Sequence, residues 1–475
     1  MKLTATIGHV VDVLDCQIQS GKPGCLSNPD RDRPITAVSS DSRSIQSGSL
    51  FVAIKGDSFD GHDFVADAFS RGAAGALVSA DWAKASRVDS NSFSTLIVVE
   101  DVLASLQDLA IWYRSRLDTA VIGITGSSGK TTTKDMAAAI LSTRYNILKT
   151  PGNLNSQLGL AQVLFHLDRI HDMAVLEMGM NHSGEIARLA EMARPSVGVI
   201  TNVGPVHLEH LRSIEGVASA KGELLDYLGE SDTAVLNADD PYVMSQRPRT
   251  QARLVTFGRN ERANVRATEV ETTFSGSEFC LDDGTEFQIN IPGEHQVMNA
   301  LAAIAVGESF DINHSDMQTA LAEMKPSGMR MEIRSMGSVT CINDTYNANP
   351  ISVRAALRTL ESYPLPGRRI AVLGDMLELG DRSAQFHHDI GVDAGRTADF
   401  LIVVGDRAED IAEGARSGET TPEAIFVCGN NDEAWIHLCD SIQDGDVVLI
   451  KGSRGMHMEE LVASMEASID GTHES

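Results

Sequence analysis

The stretch Thr119–Lys134, T-A-V-I-G-I-T-G-S-S-G-K-T-T-T-K, constrains the fold of this chain more than any other. An apolar run of strand type passes directly into a glycine loop, and T-T-K-D-M-A-A-A-I-L-S-T-R continues as a helix. A strand–loop–helix junction of this kind presents backbone N–H groups and the positive end of a helix dipole, and both favour a phosphate. Gly126, Ser127, Ser128 and Gly129 form the turn. Lys130 is placed to reach the β- and γ-phosphates of a nucleotide, with the Thr131 hydroxyl as a magnesium ligand and Thr132 beside it. Gly126 lies closer to Lys130 than the first glycine of the usual G-x-x-x-x-G-K-[ST] loop does. An ordinary glycine turn capped by threonine is the alternative.

The other strands fix the fold class. A chain of 475 residues is too long for one core. Residues 1–95 read as a small α/β unit: S-L-F-V-A-I-K and G-A-L-V-S are strands, and F-V-A-D-A-F-S-R-G has helical spacing. Residues 96–325 hold the loop strand and then A-V-L-E-M, V-G-V-I-T-N, T-A-V-L-N-A and R-L-V-T-F-G, with the Ala-rich helix M-N-A-L-A-A-I-A-V-G near the end. Strands alternating with helices predict a mainly parallel, doubly wound sheet. K-P-S-G, residues 325–328, reads as a linker. Residues 326–475 supply R-R-I-A-V-L-G-D, F-L-I-V-V-G-D, A-I-F-V-C-G and V-V-L-I-K-G-S, a second, Rossmann-like parallel sheet. The last residues, I-D-G-T-H-E-S, read as a frayed tail.

Bulk properties exclude several classes. The formal charge of −27 argues against a nucleic-acid or acidic-membrane surface. No run of 18 apolar residues suggests a membrane span, and Asp12 and Asp15 interrupt the N-terminal apolar run, so a cytosolic protein is expected. Cys16, Cys25, Cys280, Cys341, Cys428 and Cys439 form no C-x-x-C pair and read as reduced thiols.

Polar residues gather at strand ends, where ligands bind in open α/β sheets. Glu177 closes A-V-L-E-M, and its carboxylate suits Mg²⁺; a solvated surface carboxylate is the plainer reading. Ser183 is expected to cap a helix burying Ile186, Leu189, Ala190 and Ala193. His207 and His210 follow I-T-N-V-G-P-V, as ligands or as structural histidines. Lys221, in A-S-A-K-G-E-L-L, reads from spacing alone as a partner for Glu223 or another carboxylate.

Taken together, these residues resemble the Mur ligase family, the ATP-dependent amide-bond synthetases of peptidoglycan assembly. The resemblance covers nearly the whole chain in three domains. The family's loop has the short form G-x-x-G-K-T, which Gly126–Thr131 match. N-L-N-S-Q-L-G, E-M-G-M-N, H-L-E and H-Q-V-M-N-A are also similar to the family's signatures. Ser156 and Gln296 depart from it, each standing where Asn is frequent. N-D-T-Y-N-A-N-P (343–350), L-G-D-M-L-E-L-G (373–380) and K-G-S-R (451–454) are similar to the branch that joins D-alanyl-D-alanine to a UDP-N-acetylmuramoyl-tripeptide.

The resemblance implies roles residue by residue. Lys130 and Thr131 serve phosphate and metal, Glu177 and His207 are metal ligands, Asn299 contacts adenine, Arg330 a phosphate and Asp344 the ribose. Lys221 matches the lysine that the family carbamylates, which turns a cation into an anionic oxygen ligand, and two Mg²⁺ ions are implied. Catalysis is expected to rest on Lys130, Lys221, His207 and Arg330. The UDP end is expected at Ser42, Arg43, Asp60 and His62, whose plainer reading is a hairpin turn and a helix cap. Asn155, Tyr346 and Asn347 are the remaining expected substrate contacts. The expected partners are small molecules alone, bound by a monomer. A ligase adding a single amino acid, of Mur or folylpolyglutamate type, is the rival within this architecture. A nucleotide-dependent switch is the rival outside it.

Overall fold

The computed structural model describes residues 5–15, 17–19, 31–56, 59–85, 95–325, 328–364, 367–418 and 420–472. Cys16, Cys25, Pro326 and Ser327 of the linker, and the tail residues His473–Ser475 lie outside them. Two compact units are present. One comprises Met1–Gly123, Tyr145–Gly179 and Glu185–Ser196; the other comprises Ile124–Arg144, Met180–Gly184 and Val197–Ser475.

In the first unit, the strands Val38–Ser39, Leu50–Val52, Gly75–Ser79 and Leu96–Val99 run parallel, with Gln17–Gln19 antiparallel at one edge. Leu50, Phe51 and Val52 of one strand and Ala76, Leu77 and Val78 of the next are apolar and fully buried, as covered parallel strands require. Asp101 caps the helix Val102–Arg114 by accepting from the Ala104 N–H. Met173–Glu177 pairs parallel with Ile147–Lys149. This places Glu177 at the carboxyl end of its strand, as the sequence suggested. The helix Glu185–Ala193 buries Ile186, Leu189, Ala190 and Ala193.

In the second unit, Val197–Ile200, Thr233–Asn237, Arg253–Gly258 and the start of Val265–Thr273 form a parallel run. The sheet then continues antiparallel through Gly276–Leu281 and Glu286–Ile289. The Ala-rich helix spans Glu294–Glu308. A second sheet has the order Glu332–Met336, Val339–Asn343, Val447–Lys451, Arg369–Gly374, Phe400–Val404, Ala424–Cys428, parallel except for its first strand. Ile370, Val372, Ile402, Val404, Val448 and Ile450 share one core cluster with Leu438 and Leu461 from the covering helices. Cys280, Cys341, Cys428 and Cys439 are free thiols. Among the described residues no helix is long and apolar enough to cross a membrane.

Candidate active site

The strand Ala120–Thr125 ends in the glycine turn, and the helix Lys130–Ser142 begins at its lysine. Both motif glycines are required by close approach. A Cβ on Gly126 would lie 1.9 Å from Thr201 Oγ1. Gly129 has φ +79°, and a Cβ there would lie 2.1 Å from Asn299 Oδ1. The short loop therefore presses on two neighbours at once, leaving no room for side chains on that face.

Residues far along the chain hold the turn. Ser127 N–H donates to the Asn202 carbonyl at 3.0 Å, and Ser128 N–H to Asn202 Oδ1 at 2.9 Å. Thr201 Oγ1 donates to the Ser128 carbonyl at 2.6 Å, and Gly204 N–H to Ser127 Oγ at 2.9 Å. Asn237 Nδ2 donates to the Thr201 carbonyl at 2.8 Å, bracing the brace. Thr201 and Asn202 stand in I-T-N-V-G-P, at the carboxyl end of a strand; that position is the only signal in the sequence for their role. Lys130 Nζ donates to the Gly126 carbonyl at 2.8 Å, so its charge rests on the loop itself.

Asn299 is buried against the loop. Thr133 Oγ1 donates to its Oδ1 at 3.3 Å, while its Nδ2 donates to Gln296 Oε1 at 2.9 Å. Gln296, a departure from the family pattern, thus orients the amide. Ser156, the other departure, caps the helix Gln157–Leu164 by accepting from Gly159 N–H.

Lys221 is about as buried as a lysine can be, with 1% of its surface exposed. Burial pushes its pKa well below the ordinary lysine value, and the nearby Lys130 charge adds to the push. The ion pair with Glu223 does not form. Glu223 Oε1 instead accepts from Ser183 Oγ at 3.0 Å and Gly184 N–H at 2.8 Å. Lowering the pKa favours the neutral form of the amine, the form that is a nucleophile able to take up CO₂.

His207 has left-handed backbone, φ 52°, and its Nδ1 lies 2.5 Å from Glu378 Oε2. His182 and His210 stack nearby with ring centroids 4.2 Å apart. In the first unit, Glu177 is 2% exposed; Asn155 Nδ2 donates to its Oε1 at 2.7 Å, and its N–H donates to Thr150 Oγ1 at 3.0 Å.

The N-D-T-Y-N-A-N-P turn forms a second cluster. Lys451 Nζ donates to Asp344 Oδ2 at 2.5 Å and to the Asn347 carbonyl at 2.9 Å. Asp344 Oδ1 accepts from Met331 N–H at 3.1 Å, and the Arg330 guanidinium stacks 3.7 Å from the Tyr346 ring centroid. Asn349 Nδ2 donates to the Ser127 carbonyl at 3.4 Å, tying this turn to the glycine loop. Lys451 stands in K-G-S-R, a motif to which the sequence alone assigns no role.

Of the residues expected at the UDP end, Asp60 caps the 3₁₀ turn Gly61–Phe64 and accepts from His62 N–H at 3.0 Å and contacts its Nδ1 at 2.6 Å. His62 Nε2 accepts from Ser79 N–H, and the ring stacks on Trp82. Arg43 pairs with Asp41 at the surface, and Ser42 is buried.

Residues 34–111 match the catalytic domain of the Mur ligase family, 124–307 its middle domain and 329–454 its glutamate ligase domain. The UDP-N-acetylmuramoyl-tripeptide–D-alanyl-D-alanine ligase of Bacillus subtilis is 38% identical over 447 residues, 93% of this chain and 96% of that protein. This chain belongs to the Mur ligase family. The MurF structure from Acinetobacter baumannii superposes with a TM-score of 0.87 at 31% identity, covering 98% of this chain and 99% of that one. The Thermotoga maritima MurF ligase solved with ADP gives 0.79 at 28% identity, covering 92% and 98%. As a Mur ligase, the chain is an ATP-dependent ligase of α/β architecture with mostly parallel sheets.

Proposed function

We propose that this Mur ligase joins D-alanyl-D-alanine to UDP-N-acetylmuramoyl-tripeptide at the expense of ATP, giving the pentapeptide precursor of peptidoglycan. The observation that carries the reading is the loop Gly126–Thr131, locked against Thr201 and Asn299 by two glycines, at the start of a helix. The full-length similarity to proteins bearing that activity supports the choice of substrates. We take 1–95, 96–325 and 326–475 as domains for the sugar-peptide, for ATP and for the dipeptide.

A carboxylate resists attack by an amine. The tripeptide carboxylate therefore takes the γ-phosphoryl group of ATP, releasing ADP. The dipeptide amine adds to the resulting acyl phosphate, and the tetrahedral intermediate expels phosphate to leave the amide. Lys130 and Arg330 neutralise the gathering oxyanions, and the loop N–H groups and helix dipole orient the phosphates. Asn299 faces the adenine and Asp344 the ribose. Ser42, Arg43, Asp60 and His62 remain the proposed region of the UDP end, and Asn155, Tyr346 and Asn347 the proposed peptide contacts.

The donors fit magnesium by their chemistry: a hydroxyl on Thr131, a carboxylate on Glu177, an imidazole on His207 and, once carbamylated, an oxygen anion on Lys221. Among the described residues no three His, Cys, Asp or Glu groups are arranged for a metal, so phosphate and carbamate oxygens must complete the set. Bound there, two Mg²⁺ ions would supply charge neutralisation on the phosphates. We place the reaction in the cytosol and the enzyme as a monomer.

The test is hydroxylamine trapping. With ATP, Mg²⁺ and the UDP-tripeptide, hydroxylamine should capture the acyl phosphate as a hydroxamate, and D-alanyl-D-alanine should replace it with the pentapeptide, read by mass. Absence of both products with active, folded protein would overturn the reading.

A further inference from the structure

The loop Asp375–Gly380 is pinned unusually firmly. Asp375 accepts from Asp406 N–H at 2.9 Å and Arg407 N–H at 3.1 Å, while its carbonyl accepts from Ser453 N–H at 3.0 Å. Met376 N–H donates to His387 Nε2 at 2.9 Å, and Leu377 N–H to Ser453 Oγ at 2.9 Å. What the pinning presents is Glu378. Its backbone is left-handed, φ 64°, as is that of His207, φ 52°, and the two side chains meet at 2.5 Å. Left-handed backbone at non-glycine residues costs energy, and both partners of one contact bear it. Gly380, φ +62°, brings the loop against the helix Leu208–Leu211: a Cβ there would meet Glu209 N at 3.2 Å and the Leu208 carbonyl carbon at 3.4 Å. Backbone on both sides therefore sets the approach of the two side chains, of which His207 is 23% and Glu378 44% exposed.

An imidazole that binds a metal through one nitrogen gains orientation and basicity when its other N–H donates to a carboxylate. We propose that Glu378 is a positioning residue for His207. It holds the Nδ1–H tautomer, leaves Nε2 as the donor, and makes His207 competent only when the Asp375–Gly380 loop is docked. This rests on the reading of His207 as a magnesium ligand. The loop thus contributes to the metal side of the reaction.

The test uses full-length protein in three variants, Glu378→Ala, Glu378→Gln and His207→Ala. In metal-free, ¹⁵N-histidine-labelled protein, two-bond nitrogen–proton correlations report the tautomer of His207, assigned by its loss in His207→Ala. The wild type should show Nδ1–H. Glu378→Ala should shift His207 toward Nε2–H and raise the Mg²⁺ concentration for half-maximal activity about ten-fold or more, with the KM for D-alanyl-D-alanine little changed. Glu378→Gln keeps an acceptor oxygen and should recover the tautomer. A wild-type tautomer in Glu378→Ala, or a shifted tautomer with unchanged Mg²⁺ dependence, would overturn the proposal. Wild-type Mg²⁺ dependence in His207→Ala would instead remove the underlying reading of His207.

Discussion

Lys130 and Lys221 carry the same functional group into opposite circumstances. Lys130 lies half-buried at the loop, bonded to the Gly126 carbonyl. Replacing it with Ala should lower kcat by about 10²–10³, or roughly 3–4 kcal/mol of transition-state stabilisation, measured as ADP release at saturating substrates. Near wild-type turnover would reject the loop assignment. Burial, with the Lys130 charge adding to it, holds the Lys221 pKa well below the ordinary lysine value that the unfolded chain keeps. Between the depressed folded value and the ordinary one the unfolded state binds more protons, so stability rises with pH toward the ordinary lysine value. Lys221→Met should abolish most activity yet raise the thermal midpoint at pH 7 in bicarbonate-free buffer and flatten its rise with pH. A lower midpoint in that variant would show that the amine has a stabilising partner.

His295 makes the same argument in the acid range. Burial pushes its pKa down to about 4, outweighing the opposing effect of Asp344. The contribution is complete above the unfolded value of about 6.5 and is lost as pH falls toward 4, up to roughly 3 kcal/mol. His295→Gln should flatten the denaturation midpoint between those pH values; an unaltered profile would refute the assignment. Such burial was not legible in the sequence. H-Q-V-M-N-A shows a histidine one residue into a helix, and nothing in the spacing says which face of the helix start is covered.

At the scale of elements, the legible parts were those whose pattern is local. Continuous apolar runs such as R-I-A-V-L-G and F-L-I-V-V became parallel strands because burial on both faces needs no alternation. The hairpin strands Val265–Thr273, Gly276–Leu281 and Glu286–Ile289 carry a weaker signal, although Phe279 and Phe287 alternate with Glu278, Glu286 and Gln288. Their exposed face is charged, and charge reads as loop when neighbouring runs are wholly apolar. Pairings were the other loss. Lys451 ends the strand Val447–Lys451, while Asp344 follows the strand Val339–Asn343; only the parallel register between them brings the charges together. Both are buried, so removing one leaves the other uncompensated. Lys451→Met should cost about 3–5 kcal/mol in urea unfolding, and adding Asp344→Asn should recover a large part of it. A Lys451→Met variant as stable as the wild type would show that water or another group satisfies Asp344.

At the scale of the whole molecule, the question is what the two mainly parallel sheets of the second unit accomplish together that one would not. A nucleotide switch needs a phosphate loop and a responsive element. It has no use for a second sheet whose strand ends present Asp344, Lys451 and Ser453 around a single turn. A ligase has three reactants to place, and Asn349 bonding to the Ser127 carbonyl joins that turn to the glycine loop proposed to hold ATP. Sustained ADP release should therefore depend on all three. With ATP and UDP-tripeptide alone, ADP should stop near one equivalent per enzyme, because the bound acyl phosphate has no amine to take it. Adding D-alanyl-D-alanine should restore turnover, whereas D-glutamate, diaminopimelate or L-glutamate should not. Sustained ADP release without any amine would favour the switch, and turnover with a single amino acid would favour the rival ligase.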